Sequence, residues 1–399
     1  MASPFLYAFL FFSTSTLAHD LPCVPHINRK LSNGVQMPRV SFGTAGLPRG
    51  EAQENIINLA LKTGFRSFDT AQAREWYDEE SVAKSLVSSD IDFKELFITT
   101  KIHPRDLGYE NTMKAVETSI QLFNGNPIDL ILLHYSKCFI GVCTKNEILK
   151  TEAAGGWKSS WVALNELVKA GKVRAIGVSN FHISELQQMN PLPHMVQNWF
   201  DPFHQDRDVL SWCADNNIGY TSYSTLGGQW AHQEVEGEGK RRLSNPLFEN
   251  PILKDIANHH GGENKITDVV LSWALQRNVF VLPRSSSKHH IQSNAKFVSK
   301  NKNSLHKNNE DNVENNEVVD ETEVETVPIL LNQKELELID SLDGSIDRHV
   351  ECFHWAQAGE CDHNPGFMHQ SCQSSCRLSQ AIPLTCSGKS INSDFEEEL

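Results

Sequence analysis

The chain has 399 residues, of which 39% are hydrophobic and 22% charged, with a formal net charge of −14 at pH 7. That composition is ordinary for a globular protein, and the length holds one large domain of roughly 250 residues or more plus something small. Phosphate backbones are held by clustered Lys and Arg, so the acidic balance excludes nucleic acid as an expected partner.

In chain order, the first element is an apolar run at residues 5–12 followed by small residues at Thr16 and Ala18. Eight apolar residues cannot cross a bilayer, which takes about 20, whereas this pattern suits a signal-peptidase site. Residues 1–18 therefore read as a signal peptide, and the chain is expected to be secreted or to stay in the lumen of the secretory pathway, with no membrane span. Asn33-Gly34 marks a hairpin between residues 31–35 and 38–40,. From there to residue 298 strands and helices alternate. Strands are predicted at 40–43, 66–69, 96–100, 129–133, 173–177, 195–199, 219–223 and 279–282. Between them come helices around Ile56–Leu61 and over 79–87, 112–123, 157–169, 183–189, 208–216 and 265–276,. Loops 136–156 and 229–250 are expected to wall a pocket. Residues 299–326 hold seven Asn, and eight acids lie between Glu310 and Glu325. With almost nothing apolar to bury, this insert is expected to stay disordered. A further helix is predicted within 327–343, then a cysteine-rich module at 345–379 and an acidic tail at 380–399.

Alternating strands and helices imply a parallel sheet in an α/β fold. No Gly-x-Gly-x-x-Gly follows any strand, which argues against the open dinucleotide-binding sheet. A closed (β/α)8 barrel over residues 28–298, its bottom plugged by the hairpin, is the expected architecture. In such barrels reactive groups come from the C-terminal ends of strands. Those ends carry Asp69, Lys101 and His134. An Asp–Lys pair is expected to lower the pKa of a neighbouring Tyr so that it donates a proton near neutrality, with the His orienting a carbonyl.

Residues 31–297 resemble the aldo-keto reductases. The likeness is carried by Gly43-Thr44, Gly64-Phe65-Arg66-Ser67-Phe68-Asp69-Thr70-Ala71, Phe97-Ile98-Thr99-Thr100-Lys101 and Asp129-Leu130-Ile131-Leu132-Leu133-His134. It also includes the long run from Leu164 to Phe181, with Gly171-Lys172-Val173-Arg174-Ala175-Ile176-Gly177-Val178-Ser179-Asn180 inside it. The resemblance implies reduction of an aldehyde or ketone to an alcohol with hydride from NADPH, NADH being the other candidate. It places Asp69, Lys101, His134 and a Tyr at the reacting carbonyl. It gives Thr44, Asp69, Ser179, Asn180, Gln197, Tyr223, Ser224 and Leu226 to the nicotinamide and pyrophosphate, and Arg284, Ser285, Ser286, His290 and Asn294 to the adenosine phosphate.

One departure matters. The family pattern puts its Tyr at position 74, which is Arg here, and the segment from Ala71 to Glu80 carries an insertion. Counting back from Val82 puts Trp76 in the slot, and shifting by one puts Tyr77 there. Indole cannot donate a proton of suitable pKa and a phenol can, so Tyr77 is selected. With Trp76 there, the chain would instead be a non-catalytic barrel that binds cofactor and serves as a scaffold.

Residues 345–379 resemble the sea-anemone-toxin-like (ShKT) module through Cys352, Trp355, Gly359-Glu360-Cys361, Asn364-Pro365, Met368, Cys372 and Cys376. The resemblance implies the pairs Cys352–Cys372 and Cys361–Cys376, with the module's third bridge lost because Ser345 and Ser379 stand in its place. A protein partner could dock there. Cys138 and Cys143, five apart in a predicted loop, could also pair. Cys386 is left over, with Cys23 and Cys213 as possible mates. No metal is assigned: His259-His260 and His289-His290 are adjacent pairs, and neighbours in sequence rarely share one ion without other ligands.

Overall fold

The computed structural model describes residues 28–230, 234–235, 240–241, 245–298 and 329–344, with 355, 358–363, 372 and 376 beyond them. The expected signal peptide, the acidic insert at 299–326, Cys23, Cys352, Cys386 and the tail at 380–399 lie outside the described residues.

Asn33-Gly34 makes the turn its sequence demands. Gly34 takes φ 90°, a region open to glycine,, and Leu31 N donates to Val35 O at 2.8 Å. The paired strands are both shifted toward the N-terminus from the expected 31–35 and 38–40, to β1 (Asn28–Lys30) and β2 (Gln36–Pro38), because Leu31–Val35 closes the turn itself. Leu31 and Met37 then bury against Phe97, Leu130, Leu132, Ala175, Met195 and Phe280. Phe97, Met195 and Phe280 each begin their strand, so the hairpin plugs the N-terminal end of the barrel.

Eight parallel strands run in sequence order: β3 (Phe42–Gly43), β4 (Ser67–Asp69), β5 (Phe97–Ile102), β6 (Ile128–Leu133), β7 (Val173–Ser179), β8 (Met195–Trp199), β9 (Gly219–Tyr223) and β12 (Phe280–Val281). The sheet closes on itself. Val40 bridges Val281 in parallel, Ser41 N donates to Val281 O at 2.9 Å, and Gly43 N donates to Pro283 O at 3.1 Å. The seam is tight: a Cβ on Gly43 would stand 2.9 Å from Leu282 O. Every residue of β5 and β6 is buried, as expected for strands covered on both faces,. A short antiparallel pair, β10 (Glu234–Val235) and β11 (Lys240–Arg241), follows β9.

The surrounding helices are α1 (Glu51–Lys62), α2 (Glu79–Val87), α3 (Tyr109–Leu122), α4 (Lys145–Ala153), α5 (Gly156–Lys169), α6 (Ile183–Leu186), α7 (Arg207–Asp215), α8 (Pro251–His259), α9 (Ile266–Gln276) and α10 (Lys288–Ala295). In α1, Ile56, Ile57, Ala60 and Leu61 form the inward stripe its spacing predicts,. Three helices go beyond the predicted set. The loop expected at 136–156 contains α4, which buries only Thr151 and so has no apolar period to read; a Thr144–Glu147 capping box holds its start,. The other two are α8, opened by an Asn250 cap and Pro251, and α10.

Helix α11 (Gln333–Asp340) docks onto the barrel through Leu331, Leu336, Ile339 and Leu342. Trp273 Nε1 donates to Asp340 Oδ1 at 2.8 Å, and Arg207 Nε pairs with Asp343 Oδ2 at 2.6 Å. A one-turn helix, α12 (Glu360–His363), follows. Disulfides join Cys138 to Cys143 and Cys361 to Cys376. Cys372 is fully buried. Cys213 is a free thiol that burial pushes up in pKa. Among the described residues, no helix is long and apolar enough to cross a membrane.

Candidate active site

Each parallel strand delivers its last residues to one rim. Asp69 ends β4, Lys101 is the penultimate residue of β5, and His134 follows β6. Lys101 and Asp69 are both buried, and Lys101 Nζ donates to Asp69 Oδ1 at 2.5 Å and to Thr70 O at 3.0 Å. The other Asp69 oxygen accepts from Gln197 Nε2 at 2.8 Å. Thr44 donates to the Asp69 carbonyl through both its N–H (3.1 Å) and its hydroxyl (2.8 Å), so its polar atoms hold the backbone of the site.

The insertion after Ala71 resolves into a tight turn. Trp76 N and Tyr77 N both donate to Ala73 O, at 3.0 and 2.9 Å. Asp78 then caps α2, accepting from Ser81 N at 3.2 Å and from Gly50 N at 2.9 Å,. The turn aims the Tyr77 hydroxyl at Lys101 Nζ, 3.4 Å away, and sets the ammonium 4.8 Å from the ring centroid. Trp76 is 37% exposed and stands at the edge of the site, its indole edge-on to His134 at 5.8 Å.

The Tyr77 environment differs from the expected one. Burial raises its pKa and outweighs the nearby Lys101 charge, while Asp69 adds to the rise, so the net shift is upward,. Burial also works against the Lys101 charge, but the attraction of Asp69 and Tyr77 prevails and holds the ammonium above its ordinary value. His134 is driven well below the usual imidazole range by burial, then by Lys101 and His103, so it is neutral at pH 7. Its Nδ1 is buried without a hydrogen-bond partner. The site thus holds a protonated phenol, an ammonium and a neutral imidazole side by side.

The remaining rim residues form a band beside this group. Ser179 ends β7 opposite Gln197. Asn180 sits at φ 59°, a strained value for a residue with a side chain,. Its amide donates to His134 O at 3.0 Å and its carbonyl oxygen accepts from Tyr223 Oη at 2.7 Å. Ser224, at φ 55°, starts a turn in which Gly227 N donates to Ser224 O at 2.8 Å. Asn245, which the sequence does not single out, donates from Nδ2 to Leu226 O at 2.7 Å and fixes that turn. After β12, the Arg284 guanidinium lies against Gly46, where a Cβ would come within 3.2 Å of it, and its charge reaches Tyr77. Ser285 Oγ accepts from Ser287 N at 3.0 Å and lies 3.5 Å from His290 Nδ1. Ser286 and His290 are exposed at the start of α10, and Asn294 is buried within it. The rim therefore fits an extended polar ligand that reaches from His134 past Tyr223 and Ser224 to the basic segment at Arg284.

A wall closes the other side. Tyr135 stacks on His134 at 5.0 Å, and Phe139 meets Tyr135 edge-on at 5.1 Å. Phe139 lies inside the loop that the Cys138–Cys143 disulfide ties.

Comparison with known proteins agrees with this geometry. The model of the aldo/keto reductase family matches residues 39–309, and that of the ShK domain-like family matches residues 345–378. The chain is 30% identical over 272 residues to glyoxal reductase of Bacillus subtilis, covering 67% of this chain and 85% of that protein. It is 30% identical over 294 residues to the NAD(P)H-dependent D-xylose reductase I,II of Candida tropicalis, covering 69% and 88%. Among solved structures it resembles MGS-M4, an aldo-keto reductase enzyme from a deep-sea metagenome library, with 25% identity, a TM-score of 0.58, and coverage of 79% of this chain and 95% of that one. A mutant of Gox0644 in complex with NADPH has the same fold, at 24% identity and a TM-score of 0.58, over 80% and 94% of the two chains. With a closed eight-stranded barrel and a family match over most of its length, the chain belongs to the aldo/keto reductase family and is an NAD(P)H-dependent aldo-keto reductase.

Proposed function

We propose that the protein reduces an aldehyde or ketone with NADPH, and that Tyr77 is the proton donor. The observation that carries this reading is the Tyr77 hydroxyl 3.4 Å from Lys101 Nζ, which is in turn 2.5 Å from Asp69 Oδ1. When bound, the nicotinamide supplies hydride to the carbonyl carbon. Tyr77, a phenol that keeps its proton at neutral pH, donates it to the oxygen as negative charge develops there. Lys101 stabilises the phenolate left behind, and Asp69 keeps Lys101 charged and in place. His134, neutral and with Nδ1 free of hydrogen bonds, orients the carbonyl oxygen.

Asn180, Ser179 and Gln197 would hold the carboxamide, Tyr223 would stack on the ring, and the Ser224–Leu226 turn would border the pyrophosphate. Arg284 with Ser285, Ser286, His290 and Asn294 would take a 2′-phosphate, for which a guanidinium fork is suited; this favours NADPH over NADH. The aromatic wall of Trp76, Tyr135 and Phe139 favours an apolar or aromatic carbonyl. Disulfides such as Cys138–Cys143 and Cys361–Cys376 support a life in the oxidising secretory route, secreted or lumenal, and the C-terminal module would serve as a docking appendage,.

Tyr77→Phe tests the reading. The variant should retain NADPH binding and lose carbonyl reduction by about 10²–10⁴-fold, the usual contribution of a positioned acid. Turnover within a few-fold of wild type would remove Tyr77 from this role.

A further inference from the structure

The His259-His260 pair becomes chemically different once the chain is folded. The two residues end α8, His259 as its last residue and His260 as its C-cap. Both imidazoles turn to the same atom of a third residue, 75 positions or more downstream. His259 Nδ1 is 2.8 Å and His260 Nε2 is 2.9 Å from Glu335 Oε1. Glu335 is itself buried, at 6% exposure, and its second oxygen is fixed by the Asn332 N–H at 2.9 Å within the capping box that opens α11. Two imidazole nitrogens and one oriented carboxylate thus face one point. The three ligand atoms lie within 4.8 Å of one another, and among the described residues no other group of three His, Cys, Asp or Glu does so.

We infer that this cluster is a zinc site, with His259 Nδ1, His260 Nε2 and Glu335 Oε1 as ligands and water completing a tetrahedron. Zinc–nitrogen and zinc–oxygen bonds of about 2.0–2.1 Å set tetrahedral ligands roughly 3.3 Å apart. The nitrogens need to move back from Oε1 by about half an ångström and, lying within 4.8 Å of each other, to close on one another by up to about 1.5 Å, and two imidazoles with one carboxylate suit zinc, not calcium or magnesium. His259 is exposed and His260 partly so, which leaves the ion a path from solvent. The residue that completes the set, Glu335, lies beyond the segment matched by the family model, which ends at residue 309. Zinc here would therefore clip the chain that follows the acidic insert onto the barrel.

The test uses the full chain, carrying no polyhistidine tag and freed of metal by chelation, titrated calorimetrically with zinc chloride alone. One equivalent should bind, and saturating zinc should raise Tm by roughly 5 °C, whereas calcium and magnesium at the same concentration leave Tm unchanged. Cobalt(II) should give the visible bands of a tetrahedral nitrogen–oxygen site without thiolate charge transfer, which separates this site from any cysteine. His259→Gln, a change at an exposed position, should weaken zinc at least about tenfold and abolish the Tm rise. Glu335→Gln keeps a capping-box side chain, so its metal-free Tm should stay near wild type while zinc binding is lost. Absence of a zinc heat in the wild-type chain would overturn the assignment. So would zinc binding that both variants retain at full strength, or a cobalt spectrum dominated by thiolate.

Discussion

Asp69→Asn separates what the buried ion pair does for stability from what it does for chemistry. In the wild type Lys101 and Asp69 have side chains only 1% and 2% exposed, at 2.5 Å. The substitution removes the charge that balances the ammonium and turns one end of the amide toward Gln197 Nε2, which donates to Asp69 Oδ2 at 2.8 Å, so two donors would meet. Breaking a buried pair by removing one partner costs about 3–5 kcal/mol. Lys101 should then lose its preference for the charged form, and reduction should fall by about 10²–10⁴-fold. The second variant, Asp69→Asn with Lys101→Met, removes both charges. Because replacing a whole buried pair by packed neutral groups is often close to neutral, it should recover to within about 2 kcal/mol of wild type. It should remain inactive. Urea denaturation followed by fluorescence of the chain's eight Trp residues measures the first quantity, and aldehyde-dependent NADPH oxidation the second. A single-variant cost under about 1 kcal/mol, or a double variant that sums two losses, would refute the reasoning.

Glu79, half-buried on α2 and pushed up from 4.5 to about 7 chiefly by desolvation, binds its proton more tightly folded than unfolded. Its stabilising contribution is therefore complete below pH 4.5 and lost as pH rises to 7, by up to about 3 kcal/mol. Glu79→Gln should flatten the fall in stability over that interval, and an unchanged slope would refute this. Arg284→Ala should weaken NADPH about tenfold or more and NADH far less, measured by fluorescence titration; equal losses would mean that Arg284 meets no 2′-phosphate. Replacing Cys138 and Cys143 by Ser should free Phe139 from Tyr135, raising KM for an aromatic aldehyde about two- to tenfold with kcat unchanged. A fall in kcat alone would show that the loop acts on the reacting atoms.

The parts of the fold that the sequence states openly are those in which burial repeats. Strands at 195–199 and 219–223 and the helix at 79–87 end where the residues suggest, since apolar runs and the Asp78 cap both mark them. Helices α4 and α10 stay hidden because few of their residues are buried. At the site, Asp69, Lys101 and His134 are legible as strand ends, and parallel register alone brings them together. Residue counting does not choose between Trp76 and Tyr77, and only the chemistry of a phenol selects Tyr77 from the sequence. The placement itself depends on the path of a turn closed on Ala73 O, and counting residues across an insertion cannot supply that. The direction of the Tyr77 pKa is hidden for a related reason: sequence gives its charged neighbours but not its burial, and burial is the larger cause. The His259, His260 and Glu335 cluster is long-range in the same sense, as the third ligand arrives only when α11 docks.

The most direct test of the central claim follows NADPH consumption and alcohol formation together, with the full chain and a panel of aromatic and aliphatic aldehydes. Proton donation by Tyr77 predicts one alcohol formed per NADPH oxidised, with activity that disappears in Tyr77→Phe while NADPH binding persists. NADPH binding to the wild type without turnover of any aldehyde would contradict it, and would make the barrel a cofactor-binding scaffold.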